Sequence, residues 1–172
     1  MRNIEVKARI DDFEKAEAVA TSIAGQAHAR VNQVDTYFNI PGGRLKLREE
    51  RGTGTQSELI FYSRADRASP RPSDYLIVKV DSPDELKRLL ADALGIKAVV
   101  RKERTVYLHE NTRIHLDSID GLGSFIEFEA LLPEGKDEDK GRMTVEGLMK
   151  AFSIQNVDLV ECSYCDLIGT NG

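Results

Sequence analysis

Cysteine is almost missing from this sequence, and with it the option of a disulfide framework. Cys162 and Cys165 are the only two in 172 residues, and a chain stapled by disulfides needs more. Their C-x-x-C spacing has no second cysteine pair and no strand-to-helix context ahead of it. It therefore supports neither a zinc ribbon nor a redox pair, and both read as tail cysteines without special chemistry. Long apolar runs are also lacking. A stretch such as Ala98-Val99-Val100 is far too short to cross a bilayer. The opening residues Met1 to Lys7 carry charges where a signal peptide needs an apolar stretch. No membrane partner and a cytoplasmic location are the expectations. A basic excess is absent as well: the net charge is −5, which argues against a nucleic-acid partner. No glycine-rich loop ends in Gly-Lys-Ser/Thr, and Gly52-x-Gly54 and Gly121-x-Gly123 lack the following helix of a dinucleotide site, so they read as turns. No motif supports Ser-His-Asp chemistry.

What is present is an ordinary globular composition, 41% hydrophobic and 31% charged, in a length that fits one domain without a dividing linker. Three helices are legible. Asp11 and Asp12 can cap one carrying Phe13, Ala16, Val19, Ala20 and Ile23, stopped by Gly25. Ser82, Pro83 and Glu85 open a second as a capping box, with Leu86, Leu89, Leu90 and Leu94 as its stripe and Gly95 after it. A third opens near Asp137 to Asp139 and carries Met143, Leu148, Met149 and Phe152. Between them, period-2 alternation predicts strands at Asn3 to Ile10, Val34 to Ile40, Arg44 to Glu50 and Glu58 to Arg64. Four more are predicted at Tyr75 to Val80, Lys102 to Leu108, Thr112 to Asp117 and Phe125 to Leu131. Ala65 to Asp74, with Pro70, Pro72, Arg67 and Arg71, reads as a polar loop and candidate lid. The set suggests an α+β chain built on a large antiparallel sheet or closed barrel.

The alternation gives many strands a charged face: Glu5, Lys7 and Arg9; Lys46 and Arg48; Lys102 and Arg104; Arg113, His115 and Asp117; Glu127 and Glu129. Taken strand by strand, these are ordinary solvent faces. Two features point the other way. The signs are patterned, with carboxylates on the first and last strands and paired cations between, and the habit recurs on most strands. An enclosed charged face needs a compensating ligand. A metal-bound triphosphate is one: Lys and Arg donors suit its oxygens, and a hard Mg²⁺ or Mn²⁺ needs a few carboxylates. Glu-x-Glu on a strand puts two on one face. His28 and His109 read as surface loop residues; His115, sharing the face of Arg113 and Asp117, reads as a structural hydrogen bonder before a catalyst.

The arrangement resembles the CYTH domain family, shared by class IV adenylyl cyclases and thiamine triphosphatases and also called triphosphate tunnel metalloenzymes. The matching pieces are Ile4-Glu5-Val6-Lys7, Gln33 to Phe38, Leu45-Lys46-Leu47-Arg48, Lys102-Glu103-Arg104, Gly121 to Glu129 and Ser163-Tyr164, in the family's order. The resemblance implies one domain over residues 1–172, folded as an antiparallel eight-stranded closed β-barrel, or tunnel, with flanking helices and the charged face inward. It implies Glu5, Glu127 and Glu129 as ligands of Mg or Mn, and Lys46, Arg48, Arg64, Lys102 and Arg104 as phosphate binders. Lys7, Arg104 and Asp117 would be catalytic, with Asp117 beside the metal as an acid/base or orienting group. Two departures stand out. Asn3 occupies the first position of the family's Glu-x-Glu-x-Lys pattern, and Arg64 stands where a lysine is usual.

The implied activity is conversion of ATP to cyclic AMP and pyrophosphate, towards which the Gln33-to-Phe38 and Gly121-to-Glu129 stretches lean. Hydrolysis of tripolyphosphate, a nucleoside triphosphate or thiamine triphosphate is the alternative. A non-catalytic triphosphate-binding module is a third reading, supported by Asn3. The partner is a small-molecule triphosphate, and a homodimer stays open.

Overall fold

Alternating strands with one charged and one apolar face bury both only by closing on themselves, and this chain does so. The computed structural model describes residues 1–52, 55–132 and 138–169. The strands are β1 (Arg2–Arg9), β2 (Ala29–Phe38), β3 (Arg44–Arg51), β4 (Thr55–Arg64), β5 (Arg71–Lys79), β6 (Ile96–His109), β7 (Thr112–Ile119) and β8 (Gly123–Leu132). The helices are α1 (Phe13–Ala24), α2 (Pro83–Leu94), α3 (Glu138–Ala151) and α4 (Tyr164–Gly169). The eight strands form a closed barrel in the order β1-β5-β4-β3-β2-β6-β7-β8, every pairing antiparallel. Closure leaves no open sheet edge. No helix among the described residues is long and apolar enough to cross a membrane.

The apolar core lies outside the barrel wall, under the helices. Ile4, Val6 and Ala8 of β1 pack with Ile114 and Leu116 of β7 and with Ile126 and Phe128 of β8. Ala16 and Ala20 of α1 and Val145, Leu148 and Met149 of α3 cover them. Gly141 lets α3 approach closely, since a Cβ there would lie 2.9 Å from the Ile4 side chain and 3.0 Å from Leu132. A second apolar cluster joins Tyr37, Val100, Ile119 and Phe125 to Tyr164 and Cys165 of α4.

Several strands, such as β2, β5 and β6, begin before their alternating segments because pairing partners carry them past the hydrophobic pattern. By contrast β1, β2 and β5 stop at Arg9, Phe38 and Lys79, short of the expected Ile10, Ile40 and Val80. The largest correction concerns Arg71 to Asp74, expected in a loop and found in β5, opposite Glu5 to Arg2 of β1. Pro70 precedes the strand as loop punctuation, but Pro72 lies within it, because barrel closure needs a neighbour for β1 there. Likewise His109 ends β6 rather than lying in a loop. Asp12 caps α1 as expected, accepting from the Lys15 amide. Ser82 is the N-cap of α2 but its side chain makes no capping bond, so no capping box forms with Glu85. Pro83 at the first position and acidic Asp84 and Glu85 in the first turn define that start instead. Leu89 is 61% and Met143 72% exposed, so neither belongs to its helix's buried stripe. Asp137, Thr53 and Gly54 lie outside the described residues. Both tail cysteines are free.

Candidate functional site

Directly opposed residues of an antiparallel pair point to the same face, so register alone assembles the site. Glu5 faces Glu129 and Lys7 faces Glu127 across β1 and β8. His115 faces Glu127 across β7 and β8. Arg104 faces Asp117, Lys102 faces Gln33, and Arg48 faces Asp35. All of these but Asp35 and Asp117 line a cavity of about 280 Å³ inside the barrel, near the roughly 300 Å³ lower end of small-molecule sites. Lys7, Lys46, Arg48, Arg64, Lys102, Arg104, Glu5, Glu127 and Glu129 all line it. Ser163 and Tyr164 also contribute to its wall.

Cations dominate one side. Asp35, with no exposed surface, accepts a two-pronged contact from Arg48, Nε and Nη2 each at 2.8 Å. It accepts a third bond from Lys46 Nζ at 2.8 Å, and Lys102 Nζ lies 3.7 Å away. Burial opposes its ionisation, yet Arg48, Lys46 and Lys102 together hold it well below the usual carboxylate range. Lys102 is pushed down to about 7, first by burial and then by the neighbouring Arg104 charge. Arg104 forks onto Asp117 at 2.6 and 2.5 Å and reaches Glu127 Oε2 at 2.6 Å. The Tyr164 hydroxyl donates to Asp117 at 2.9 Å. Asp35 and Asp117 thus stand behind the cations, aiming Lys and Arg donors into the cavity.

The other side is acidic. Glu5 Oε1 is held by Arg64 Nη1 at 2.6 Å, with Arg71 Nη2 at 3.9 Å. Burial raises the Glu5 carboxyl, Arg64 opposes the rise, and Glu129 and Glu127 add to it. Glu127 Oε1 takes Lys7 Nζ at 3.1 Å. Burial opposes the Glu127 charge, but Lys7 and Arg104 hold its carboxyl well below the ordinary range. Lys7 also sits 3.4 Å from the Tyr164 ring centroid, and burial lowers its amine from the ordinary lysine range. His115 Nδ1 lies 3.8 Å from both Glu127 Oε2 and Glu129 Oε1. One ligand atom from each of His115, Glu127 and Glu129 falls within 4.8 Å of the others. Asn3 Oδ1 and His115 Nδ1 are buried without a hydrogen-bond partner among the described residues. Two carboxylates beside unmet lone pairs are the donor set a divalent cation requires, so the residues fit such an ion.

Each residue expected at the site is on the cavity wall except Asp117, which is fully buried behind Arg104. Arg9 turns away: its Nη1 donates to the Leu122 carbonyl and its guanidinium packs on Phe125. Sequence reasoning missed Asp35 as the counter-ion of three cations, although Gln33, Asp35 and Tyr37 alternate onto one face. It also missed Arg71, hidden by the loop reading; Tyr164 was among the pieces matching the family but was given no role at the site, because its place on α4 has no periodic signal.

The CYTH domain family model matches residues 1–164. A Methanocaldococcus jannaschii protein named "Putative adenylate cyclase" is 26% identical over 98% of this chain and 99% of its own length. The adenylate cyclase CyaB of Aeromonas hydrophila is 25% identical, over 86% of this chain and 82% of its own. In fold, the PH1012 protein of Pyrococcus horikoshii superposes with a TM-score of 0.86 at 22% identity, covering 96% of this chain and 98% of that one.

Proposed function

We propose that this chain, which belongs to the CYTH domain family, is a metal-dependent adenylyl cyclase acting on a triphosphate drawn into its barrel. One observation carries the reading: Lys46, Arg48, Lys102 and Arg104 line one cavity of the barrel together with Glu127 and Glu129. The choice of cyclase chemistry rests on the names of the relatives.

Lys46, Arg48, Lys102 and Arg104 would collect phosphate oxygens, the arginines through forked contacts. Asp35 and Asp117 act as positioning residues for them. In the reaction a bond forms between the ribose 3′-oxygen and the α-phosphorus, and the bond from that phosphorus to the bridging oxygen of pyrophosphate breaks. The cations meet the charge that develops on the departing pyrophosphate. Lys7, in the neutral form that its burial favours, is assigned to take the 3′ proton. A divalent ion held by Glu127 and Glu129, with Glu5 alongside, would neutralise phosphate charge and polarise the phosphoryl oxygens.

Product identification tests the reading. Purified protein with Mg²⁺ or Mn²⁺ is incubated separately with ATP, tripolyphosphate and thiamine triphosphate. Cyclic AMP with pyrophosphate is expected from ATP. Orthophosphate in place of cyclic AMP would move the assignment to triphosphate hydrolysis, and binding without any product would reduce it to a binding module.

A pH dependence follows from Lys102. Its amine takes up a proton near pH 7 in the empty cavity, and a bound polyanion raises that value. Affinity is therefore full below about pH 7 and declines as pH rises above it, and binding at pH 8 draws in a proton. Calorimetry of tripolyphosphate binding in two buffers of different ionisation heat measures this uptake. In Lys102→Arg, whose guanidinium keeps its charge, the uptake is expected to fall to what the other buried lysines of the cavity, Lys7 and Lys46, contribute. Zero uptake in the unaltered protein would refute the assignment.

A further inference from the structure

We propose that His115 is a nitrogen ligand of the cation site it shares with Glu127 and Glu129, and that this nitrogen makes the site favour Mn²⁺ or Co²⁺ over Mg²⁺. The inference rests on the reading of the acidic end as a metal site and adds to it a ligand and a selectivity.

The backbone places the ring. His115 is directly opposite Glu127 in the β7–β8 ladder, and only 5% of the residue is exposed. Its Nδ1 is 3.8 Å from Glu127 Oε2 and from Glu129 Oε1, beyond the roughly 3.2 Å reach of a hydrogen bond, and among the described residues it has no other partner. A buried nitrogen left unmet costs free energy unless something satisfies it. Donors bound to one ion at about 2.1 Å sit roughly 3–4 Å from each other; the two His115–carboxylate separations fall in that range, and all three groups lie within 4.8 Å of one another. Lys7 and Arg104 contact one Glu127 oxygen each, but every carboxylate oxygen has a second lone pair to offer.

Asn3 is the second, independent observation. It lines the same cavity from β1, is 4% exposed, and its Oδ1 has no hydrogen-bond partner among the described residues. Two strands therefore bring unmet lone pairs to one acidic pocket. The chemistry of the set is mixed: two charged oxygens, one neutral amide oxygen and one imidazole. Mg²⁺ is held by charge in an all-oxygen octahedron and gains little from the amide or the ring. Imidazole nitrogen suits the transition ions, and affinity for it rises from Mn²⁺ to Co²⁺.

Metal alone is the probe, with no triphosphate present. Calorimetric titration of the unaltered protein is expected to give tighter binding of Mn²⁺ and Co²⁺ than of Mg²⁺. Pulsed electron paramagnetic resonance of the Mn²⁺ form is expected to show coupling to a ¹⁴N nucleus. His115→Gln keeps the reach but replaces nitrogen with oxygen. It should lose the coupling and weaken Mn²⁺ and Co²⁺ by roughly 10- to 100-fold, the range felt even for groups that only support a ligand, while Mg²⁺ binding stays nearly unchanged. Mn²⁺ bound without nitrogen coupling, or the same Mn²⁺-to-Mg²⁺ ratio in His115→Gln, would overturn the proposal. If the variant does not fold, the coupling in the unaltered protein decides the matter alone. Nitrogen-coupled Mn²⁺ in a protein that leaves every triphosphate intact would sink the enzymatic reading and keep this one; turnover without coupling would do the reverse.

Discussion

Asp35→Ala is expected to destabilise the fold by about 3–5 kcal/mol, the cost of breaking a buried ion pair by removing one partner. The carboxylate has no exposed surface and is bonded to Arg48 and Lys46, with Lys102 close behind. Attraction lost in the native state is the smaller part of the effect. The larger part is that three cations gathered on one wall, Lys46 and Lys102 among them buried, are left facing each other without their counter-ion. Urea unfolding of the variant checks the magnitude. Tripolyphosphate supplies the missing negative charge, so it should restore more stability to Asp35→Ala than it adds to the unaltered protein, by the ordinary linkage of ligand binding to folding. A variant as stable as the parent in the absence of any polyanion would show that Asp35 does not hold these cations in place.

Glu127→Gln is expected to cost at least about 100-fold in metal-dependent turnover, the scale on which single electrostatic groups of an active site are felt. The substitution keeps the shape and removes the charge that faces both Lys7 and Arg104. Arg104 retains Asp117 as its partner, so folding, followed by circular dichroism, should survive. Glu103→Ala is the matched control. Glu103 alternates with buried Lys102 and Arg104 and is exposed on the outer face, so its removal should leave turnover unchanged. Equal small losses from the two would contradict the inward register on which the site depends.

Much of the barrel was legible because its signal is local. Eight alternating segments stood out by period 2, and the expected strands overlap the observed ones throughout. Boundaries were not legible where pairing carried a strand onward. Ile96 to Arg101 of β6 lacks a simple alternating pattern, and it is strand because β2 lies beside it. Arg71 to Asp74 was hidden for the same reason, with two prolines masking a segment that β1 recruits. Met143 and Leu89 were read into helix stripes by spacing, yet a helix face is defined by what it packs on, and nothing covers them.

By itself the sequence determined that the carboxylates of β1 and β8 and the cations of β3 and β6 each fall on one face of their strand, because side chains alternate with the pleat. Alternation is symmetric, however, and does not say which face is turned inward. That was decided by closure of the sheet, with β5 joining β1, β8 joining β1 and β2 joining β6, and by α1 and α3 covering the opposite, apolar face. Only then do residues more than a hundred positions apart, such as Glu5 and Glu129, stand opposite each other. A long-range juxtaposition of this kind is a property of strand pairing, and no local pattern encodes it.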